Sequence, residues 1–179
     1  MVIKISNILL SEKIIDKKIL MEYEEYLIHR QWMSHALQLA QSAGEHGDVP
    51  VGAVIINSNG ELIAEAENRK ERDQDPTAHA EIIALRAAAK TLQTWRLNEC
   101  ILYVTLEPCP MCAGAIVHSR VGTVVYGVDD AKTGALRTVL NIPDSAASNH
   151  QLSVIGGILE SDCRNVLQMW FTNRRHRTK

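Results

Sequence analysis

Residues 51–67 have the sequence VGAVIINSNGELIAEAE, and this stretch decides the fold. The largely apolar run from Val51 to Asn57 is typical of a buried strand. Ser58-Asn59-Gly60 follows it and is a strong signal for a tight hairpin turn. Glu61 to Glu67 then predicts the returning strand. The sheet is therefore expected to contain an antiparallel hairpin.

Helices and further strands flank this hairpin. Residues 24–43 place apolar side chains at a helical period, and the Gly/Pro-containing segment 44–52 ends that helix. After the hairpin, a polar loop is predicted for residues 68–76 and a loop-like segment with a short helix for residues 127–149. The other elements are predicted as a helix over 77–92, a strand over 101–106, a helix over 109–119, a strand over 121–128, an edge strand over 152–155 and a helix over 160–174. This order predicts an α/β fold, a three-layer α/β/α sandwich around a mixed, mostly five-stranded sheet.

The bulk composition indicates an ordinary soluble domain with an extension. The chain has 179 residues, of which 46% are hydrophobic and 22% charged, and its net charge is −2. Residues 1–22 contain no motif and are predicted to be an N-terminal extension of unknown role, with residues 23–179 forming the domain. No apolar run reaches the roughly 20 residues that cross a membrane, and the first residues lack a secretory cleavage site.

Two short motifs carry the chemistry, His79-Ala80-Glu81 and Cys109-Pro110-Met111-Cys112. Each falls at the start of a predicted helix, where the helix dipole and free N–H groups favour negative charge and lower thiol pKa values. Cys109 and Cys112 lie three residues apart and share one helix face. With His79 they predict a zinc site of three protein ligands, and its open fourth position is typical of a catalytic zinc that activates water. Glu81 is predicted to move protons beside that water, which is the chemistry of hydrolytic deamination.

Two other interpretations of the cysteine pair remain open at this point. A Cys-x-x-Cys pair can be redox-active, although in a reducing cytosol such a pair is more often catalytic or metal-binding than a structural disulfide. A structural zinc site needs a fourth ligand, for which Cys100, Cys163 and His118 are the candidates. Cys100 precedes a strand and Cys163 belongs to a distant helix, so neither has a recognisable ligand spacing. Spacing and helix starts together favour the catalytic site.

The same motifs resemble a known family. H-x-E followed by P-C-x-x-C is the signature of zinc-dependent nucleobase deaminases, the cytidine/deoxycytidylate deaminase superfamily. Over about residues 24–175 the chain is similar in particular to the bacterial tRNA-specific adenosine deaminases. The segments that carry this resemblance are Asp48–Val54, Asn68-Arg69, Asp75–Glu81, Thr105–Ile116, His118–Arg120 and Asp130–Ala135.

The resemblance implies a fold, an activity and a set of residue roles. It implies the cytidine-deaminase-like sandwich, a cytoplasmic homodimer with one Zn²⁺ per subunit, and a hydrolase that converts adenosine to inosine at the wobble position of tRNA. His79, Cys109 and Cys112 match the zinc ligands of the family, and Glu81 matches its proton shuttle. Asn68 matches the residue expected to hydrogen-bond the flipped base.

The expected RNA partner is an anticodon stem-loop, which presents unstacked bases, phosphates and 2′-hydroxyl groups. We expect Asp130 to accept a hydrogen bond from a 2′-hydroxyl, and Lys132 and Arg174 or Arg175 to contact phosphates. The basic stretch of residues 173–179 is also typical of a solvated helix end. Residues 136–138, Leu-Arg-Thr, depart from the small residues usual in the family, so the RNA contacts of this loop are left open.

Two other functions compete with this hypothesis. A zinc deaminase of a free base or nucleoside, of the cytosine, guanine or cytidine type, would share the zinc core but would have no use for a basic C-terminus. A non-catalytic, zinc-stabilised RNA-binding scaffold would have no need of a proton shuttle, so Glu81 argues against it.

Overall fold

The structure is a computed structural model that describes the backbone of residues 2–177 and the side chains of residues 19–175. None of the helices in this described part is long and apolar enough to cross a membrane. Five helices and five strands follow one another as α1 (Val2–Glu45), β1 (Gly52–Ile56), β2 (Leu62–Glu67), α2 (Lys70–Asp73), α3 (Ala80–Thr91), β3 (Ile101–Leu106), α4 (Pro110–His118), β4 (Thr123–Val128), β5 (Ser153–Gly156) and α5 (Glu160–Arg177).

The strands form one mixed sheet in the order β2-β1-β3-β4-β5. Strand β1 is antiparallel to both β2 and β3, whereas β3, β4 and β5 run parallel. Asn57 fixes the predicted hairpin turn, because its side-chain oxygen accepts hydrogen bonds from the N–H groups of Asn59 and Glu61, each at 3.0 Å. Gly60 completes the turn with a φ of 78°, which glycine adopts without strain. The predicted five-stranded mixed sheet and its hairpin are confirmed.

Helices cover both faces of the sheet. On one face α3 and α4 pack through their alanine-rich and aliphatic sides against alternate residues of the strands, among them Leu102 and Val104. On the other face α1 and α5 pack through Met33 and Cys163 against the intervening residues, including Tyr103. All five residues of β1 are buried, as expected for a strand that lies between two helical layers. The predicted α/β/α sandwich is confirmed.

Three local features differ from the prediction. The segment predicted as a polar loop contains the one-turn helix α2, whose Glu71 N–H donates to the buried Asp48 carboxylate at 2.7 Å. Helix α3 begins at Ala80 rather than at residue 77, because the Asp75 carboxylate accepts hydrogen bonds from the Thr77 N–H and hydroxyl and holds those residues in a turn. Residues 129–152, all of which are described, form turns without the predicted short helix.

Helix α1 runs from Val2 through the predicted boundary between residues 22 and 23 without a break. The backbone therefore continues the first domain helix into the extension. The division into an extension of residues 1–22 and a domain of residues 23–179 stays a prediction.

Gly52 sets how closely α1 approaches the sheet. Replacing it with alanine is expected to destabilise the fold by about 1–3 kcal/mol, because the added methyl would overlap the carbonyl oxygen of Ala36 and lie 2.7 Å from Ala40 N. Gly114→Ala is the matched control, since Gly114 lies inside α4 with open space at its Cβ position; there alanine should add about 0.5–1 kcal/mol. Urea unfolding followed by circular dichroism measures both variants. An unchanged free energy of unfolding for Gly52→Ala would contradict the close packing of α1 on β1.

Candidate active site

The two predicted chemical motifs meet where α3 and α4 begin. His79 and Cys109 each occupy the residue immediately before the first turn, with extended backbone, and Pro110 begins α4. Neither side chain caps its own helix. Both are therefore available to face each other, while Cys112 reaches the same point from the first turn of α4.

The three side chains form a cluster with the dimensions of a metal site. His79 Nδ1 lies 3.5 Å from Cys112 Sγ and 3.7 Å from Cys109 Sγ. All three ligand atoms lie within 4.8 Å of one another. Typical zinc–nitrogen and zinc–sulfur bond lengths with tetrahedral angles separate nitrogen and sulfur by roughly 3.5 Å. The donor set and its spacing therefore fit a tetrahedral N/S-coordinated metal ion with three protein ligands.

The candidate fourth ligands of a structural zinc site lie elsewhere. Cys100 packs into the core between the sheet and the α3/α4 layer, and Cys163 packs into the core under α1 and α5. His118 ends α4, whereas the cluster sits at its beginning. The described residues contain one group of histidine, cysteine or carboxylate side chains with the spacing of a metal site. This group has three members, His79, Cys109 and Cys112. This arrangement favours a site with an open position.

The two thiols have different proton affinities. Hydrogen bonds with Cys112 and His79 lower the pKa of Cys109 to about 4, although burial acts in the opposite direction. The hydrogen bond with Cys109 and burial raise the pKa of Cys112, while the hydrogen bond with Cys109 raises the pKa of His79. Cys109 thus forms a thiolate readily, whereas Cys112 keeps its proton. A divalent cation between the three atoms would displace that proton, because metal ligands bind deprotonated.

Glu81 lies in the first turn of α3 beside this cluster. Its side chain is buried, and burial raises the pKa of the carboxyl group above its ordinary value. Residues two apart do not share a face within a helix. This does not separate His79 from Glu81, because His79 precedes the first turn of α3. A buried carboxyl group with a raised pKa holds its proton more readily than an exposed one, which suits a group that both accepts and donates protons. Glu81 is therefore placed to move protons beside the metal cluster.

A pocket of about 220 Å³ opens over the cluster. Asn68 forms part of its wall and is buried, with its Nδ2 donating to the carbonyl oxygen of Val49 at 3.0 Å. The Asn68 Oδ1 atom accepts no hydrogen bond from any residue that the structure describes. A buried amide oxygen of this kind is an acceptor for a donor group on a ligand. The pocket is lined by Val49, Val51, Asn68, Lys70, His79, Ala80, Glu81, Leu106, Glu107, Cys109, Asp130 and Thr133.

Asp130 also lines the pocket. Its carboxylate accepts hydrogen bonds from the Lys132 N–H at 2.8 Å and from the Thr133 hydroxyl at 2.6 Å. Partial burial acts to raise the pKa of Asp130, but these hydrogen bonds outweigh it and lower the pKa. Asp130 is therefore held as an anion at the rim of the pocket.

The basic residues predicted to contact phosphates lie in two different places. Lys132 and Arg175 line a second cavity of about 470 Å³ between α5 and the segment after β4, together with Phe171. Arg174 instead donates to the carbonyl oxygen of Gly47 at 2.9 Å and lies 5.0 Å above the ring centre of Trp170. The structure thus brings Asn68, Asp130 and the metal cluster to one pocket, and only Lys132 and Arg175 share a neighbouring surface.

Three further polar residues line the pocket without a role predicted from the sequence, namely Lys70, Glu107 and Thr133. For Glu107 a signal was present, since an acidic residue that directly follows an apolar strand is unusual in a buried position. Lys70 and Thr133 have no such signal, because charged and hydroxyl side chains are common in exposed loops.

Comparison with known proteins identifies the family of the chain. The model of the MafB19-like deaminase family matches residues 28–175. The tRNA-specific adenosine deaminase of Bacillus subtilis (strain 168) is 47% identical over 148 residues, which cover 83% of this chain and 91% of the relative.

Two solved structures share the fold. One, from a study of A-to-I editing by tRNA:A34 deaminases at the wobble position of transfer RNA, has a TM-score of 0.74 and 41% identity, and the match covers 76% of this chain and 99% of that chain. A guanine deaminase from Nitrosomonas europaea has a TM-score of 0.67 and 25% identity, and the match covers 79% of this chain and 83% of that chain. The predicted resemblance is thereby confirmed. The chain belongs to the family of the tRNA-specific adenosine deaminases, and it matches the model of the MafB19-like deaminases.

Proposed function

We propose that this protein is a zinc-dependent hydrolase that deaminates adenosine to inosine at the wobble position of tRNA. One observation carries the proposal: a single pocket is lined by His79 and Cys109 of the three-residue cluster that Cys112 completes, by the buried Glu81 and by Asn68 with its unsatisfied amide oxygen. The membership of the chain in the family of the tRNA-specific adenosine deaminases supports the same reaction. The overall change replaces the amine at C6 of adenine by oxygen from water and releases ammonia.

His79, Cys109 and Cys112 would hold one Zn²⁺ per chain. One nitrogen and two sulfur donors are the ligand types that zinc prefers, and two thiolates balance its charge. When bound, zinc lowers the pKa of water and so supplies the nucleophile for hydrolysis. The remaining work belongs to the side chains of the pocket.

Glu81 would act as the proton carrier. A carboxylate at this position takes a proton from the attacking water, gives it to the adenine ring and finally delivers a proton to the departing amine. Each transfer needs a group that both accepts and donates near neutral pH, which agrees with the raised pKa of the buried Glu81.

Asn68 and Asp130 would orient the nucleotide. The Asn68 Oδ1 atom, which accepts no hydrogen bond within the described chain, can accept one from an N–H of the base. Asp130, at the pocket rim, can accept one from a 2′-hydroxyl group. A pocket this enclosed requires an unstacked nucleotide, and an anticodon loop supplies one at the lowest energetic cost.

Basic side chains would contact the phosphates of the loop. Lys132 and Arg175 lie on one cavity beside the segment that begins with Asp130, so they are well placed for adjacent phosphates. Arg174 would have to exchange its bond with the Gly47 carbonyl oxygen for such a contact. We therefore retain Lys132 and Arg175 as the stronger candidates.

We further propose that the protein is a cytoplasmic homodimer, since the cytoplasm holds its tRNA substrate. Met111 on α4 and Val139 and Leu140 in the segment after β4 are large apolar side chains that remain exposed in the single chain. Exposed apolar side chains close to a functional site are typical of an interface. Covering them with a second copy would remove this apolar area from water.

The first test is substrate choice. An unmodified anticodon stem-loop with adenosine at the wobble position should be converted to inosine, as measured by nuclease digestion and chromatography. Free adenosine, cytidine and guanine, tested in parallel, should react at least about 100-fold more slowly, because they lack the phosphates and neighbouring nucleotides that supply binding energy. Rapid turnover of free guanine or cytidine with an inert stem-loop would favour the free-base alternative instead.

The role of Glu81 is tested by Glu81→Gln. This variant should fold and bind metal normally, whereas kcat should fall by about 10²–10⁴-fold, the usual contribution of general acid–base catalysis. Glu65→Gln is the control, because Glu65 is an exposed carboxylate of β2 that pairs with His35 at 2.7 Å, outside the pocket. Near-normal turnover by Glu81→Gln would remove Glu81 from the mechanism.

The metal cluster can be tested without an activity assay. Metal-free protein titrated with Co²⁺ should develop thiolate-to-metal charge-transfer absorption that saturates at one ion per chain, because Co²⁺ accepts the same ligands as Zn²⁺. Cys112→Ser should lose about half of this intensity, since it removes one of two thiolates. Cys100→Ala, a buried thiol outside the cluster, should leave the titration unchanged. A titration that does not respond to Cys112→Ser would contradict the assigned ligands.

A further inference from the structure

Glu107 is a buried carboxylate outside the metal cluster, and its hydrogen bonds within the described part of the chain all come from backbone N–H groups. It directly follows β3 and is 2% exposed. Its Oε1 atom accepts hydrogen bonds from the N–H groups of Leu136 at 3.1 Å, Arg137 at 2.9 Å and Thr138 at 3.0 Å. Its Oε2 atom accepts one from the N–H of Asp130 at 3.1 Å.

These bonds use the hydrogen-bonding capacity of the carboxylate. Each oxygen of an ionised carboxylate offers about two lone-pair sites. Three backbone donors fill those of Oε1, and Oε2 accepts the fourth. Glu107 is therefore engaged mainly by main-chain donors, even though it lines the pocket. Its negative charge strengthens each bond, because hydrogen bonds to an ionised acceptor are stronger than neutral ones.

The bonded segment, residues 130–138, forms the pocket wall that holds Asp130 and Thr133. Two further backbone hydrogen bonds, each of 2.9 Å, hold this segment. Gly134 N–H donates to Asp130 O within the segment, and Ala135 N–H donates to Pro108 O in the metal-binding turn, residues 108–112. Gly134 leaves no room for a side chain, because a Cβ there would overlap Glu107 Oε2 and lie 2.6 Å from Asp130 O. The wall is thus built around the Glu107 carboxylate.

We propose that Glu107 is a positioning residue that holds residues 130–138 against the metal-binding turn and thereby places Asp130 and Thr133 to receive the substrate. Glu107 directly precedes Pro108 and Cys109. It therefore links the metal-binding turn to residues 130–138. This inference rests on the proposed function for its substrate, but the order of the wall itself is measurable without any substrate.

The sharpest variant is Glu107→Gln, which changes one of the two oxygens. The amide oxygen can keep the three donors of residues 136–138, whereas the amide NH₂ would face the N–H of Asp130 as a second donor. Hydrogen exchange followed by mass spectrometry should therefore accelerate at residues 130–134 more than at residues 136–138. Glu107→Ala removes both acceptors and should accelerate exchange across the whole segment.

Steady-state kinetics on the stem-loop should separate positioning from catalysis. For Glu107→Gln, KM should rise about tenfold or more, the effect of losing one bond to a charged acceptor, while kcat changes by less than about threefold because Glu81 and the metal ligands are intact. Gly134→Ala disturbs the same contact from the other partner, because the added methyl group would overlap Glu107 Oε2. This variant should also raise KM. Glu65→Gln, which alters a carboxylate outside the pocket, is the control for both measurements.

Three results would overturn the proposal. Unchanged exchange at residues 130–138 in Glu107→Gln and Glu107→Ala would show that Glu107 does not order the wall. Faster exchange with an unchanged KM, or loss of bound metal together with kcat, would show that the ordering does not serve the substrate. A wild-type protein that leaves the stem-loop unmodified contradicts the proposed function instead, and the exchange experiment still decides whether Glu107 orders the wall.

Discussion

The meeting of two helix starts is the constraint on which the rest of the structure depends. His79 and Cys109 each precede a first turn, where the backbone is extended and the side chain is released from its own helix. Hydrogen bonds with Cys112 and His79 lower the pKa of Cys109 there, so a thiolate forms where a cation would sit. Helices α3 and α4 share one face of the sheet, which brings the two starts together.

Two buried carboxylates then fix the pocket walls around this junction. Asp48 accepts hydrogen bonds from the N–H of Glu71 at 2.7 Å and from the side chain of Arg72 at 3.3 Å, which ties the loop before β1 to α2. The neighbouring carbonyl group of Val49 holds Asn68. Glu107 in turn binds the wall that contains Asp130. Each carboxylate takes main-chain donors, so the loops are held whatever side chains they display. Residues 136–138 can therefore differ from the family pattern while the wall keeps its shape.

The sequence predicted the parts of this structure that repeat or lie close together in the chain. Alternating and continuous apolar runs located β1 to β5, and ligand spacing at helix starts located His79, Cys109 and Cys112. The helix α2 and the bonds of Glu107 were not predicted, because their partners lie at least 23 residues away in the chain and leave no periodic pattern. Arg174 shows the same limit, since its partner Gly47 is 127 residues distant.

The basic helix α5 illustrates why composition alone could not assign its charges. Successive residues of a helix are turned by about 100°, so Trp170 and Arg174 share one face and Phe171 and Arg175 share the next. The first pair holds the end of α1 through Gly44 and the following loop through Gly47, whereas the second lines the cavity beside Lys132. A solvated helix end and a phosphate-binding surface were competing interpretations of one charged stretch. The fold divides them by face instead: Arg174 stabilises the loop that carries Asp48 and Val49, whereas Arg175, which donates to the Thr172 hydroxyl at 3.4 Å, lines the cavity of the RNA contact that we propose.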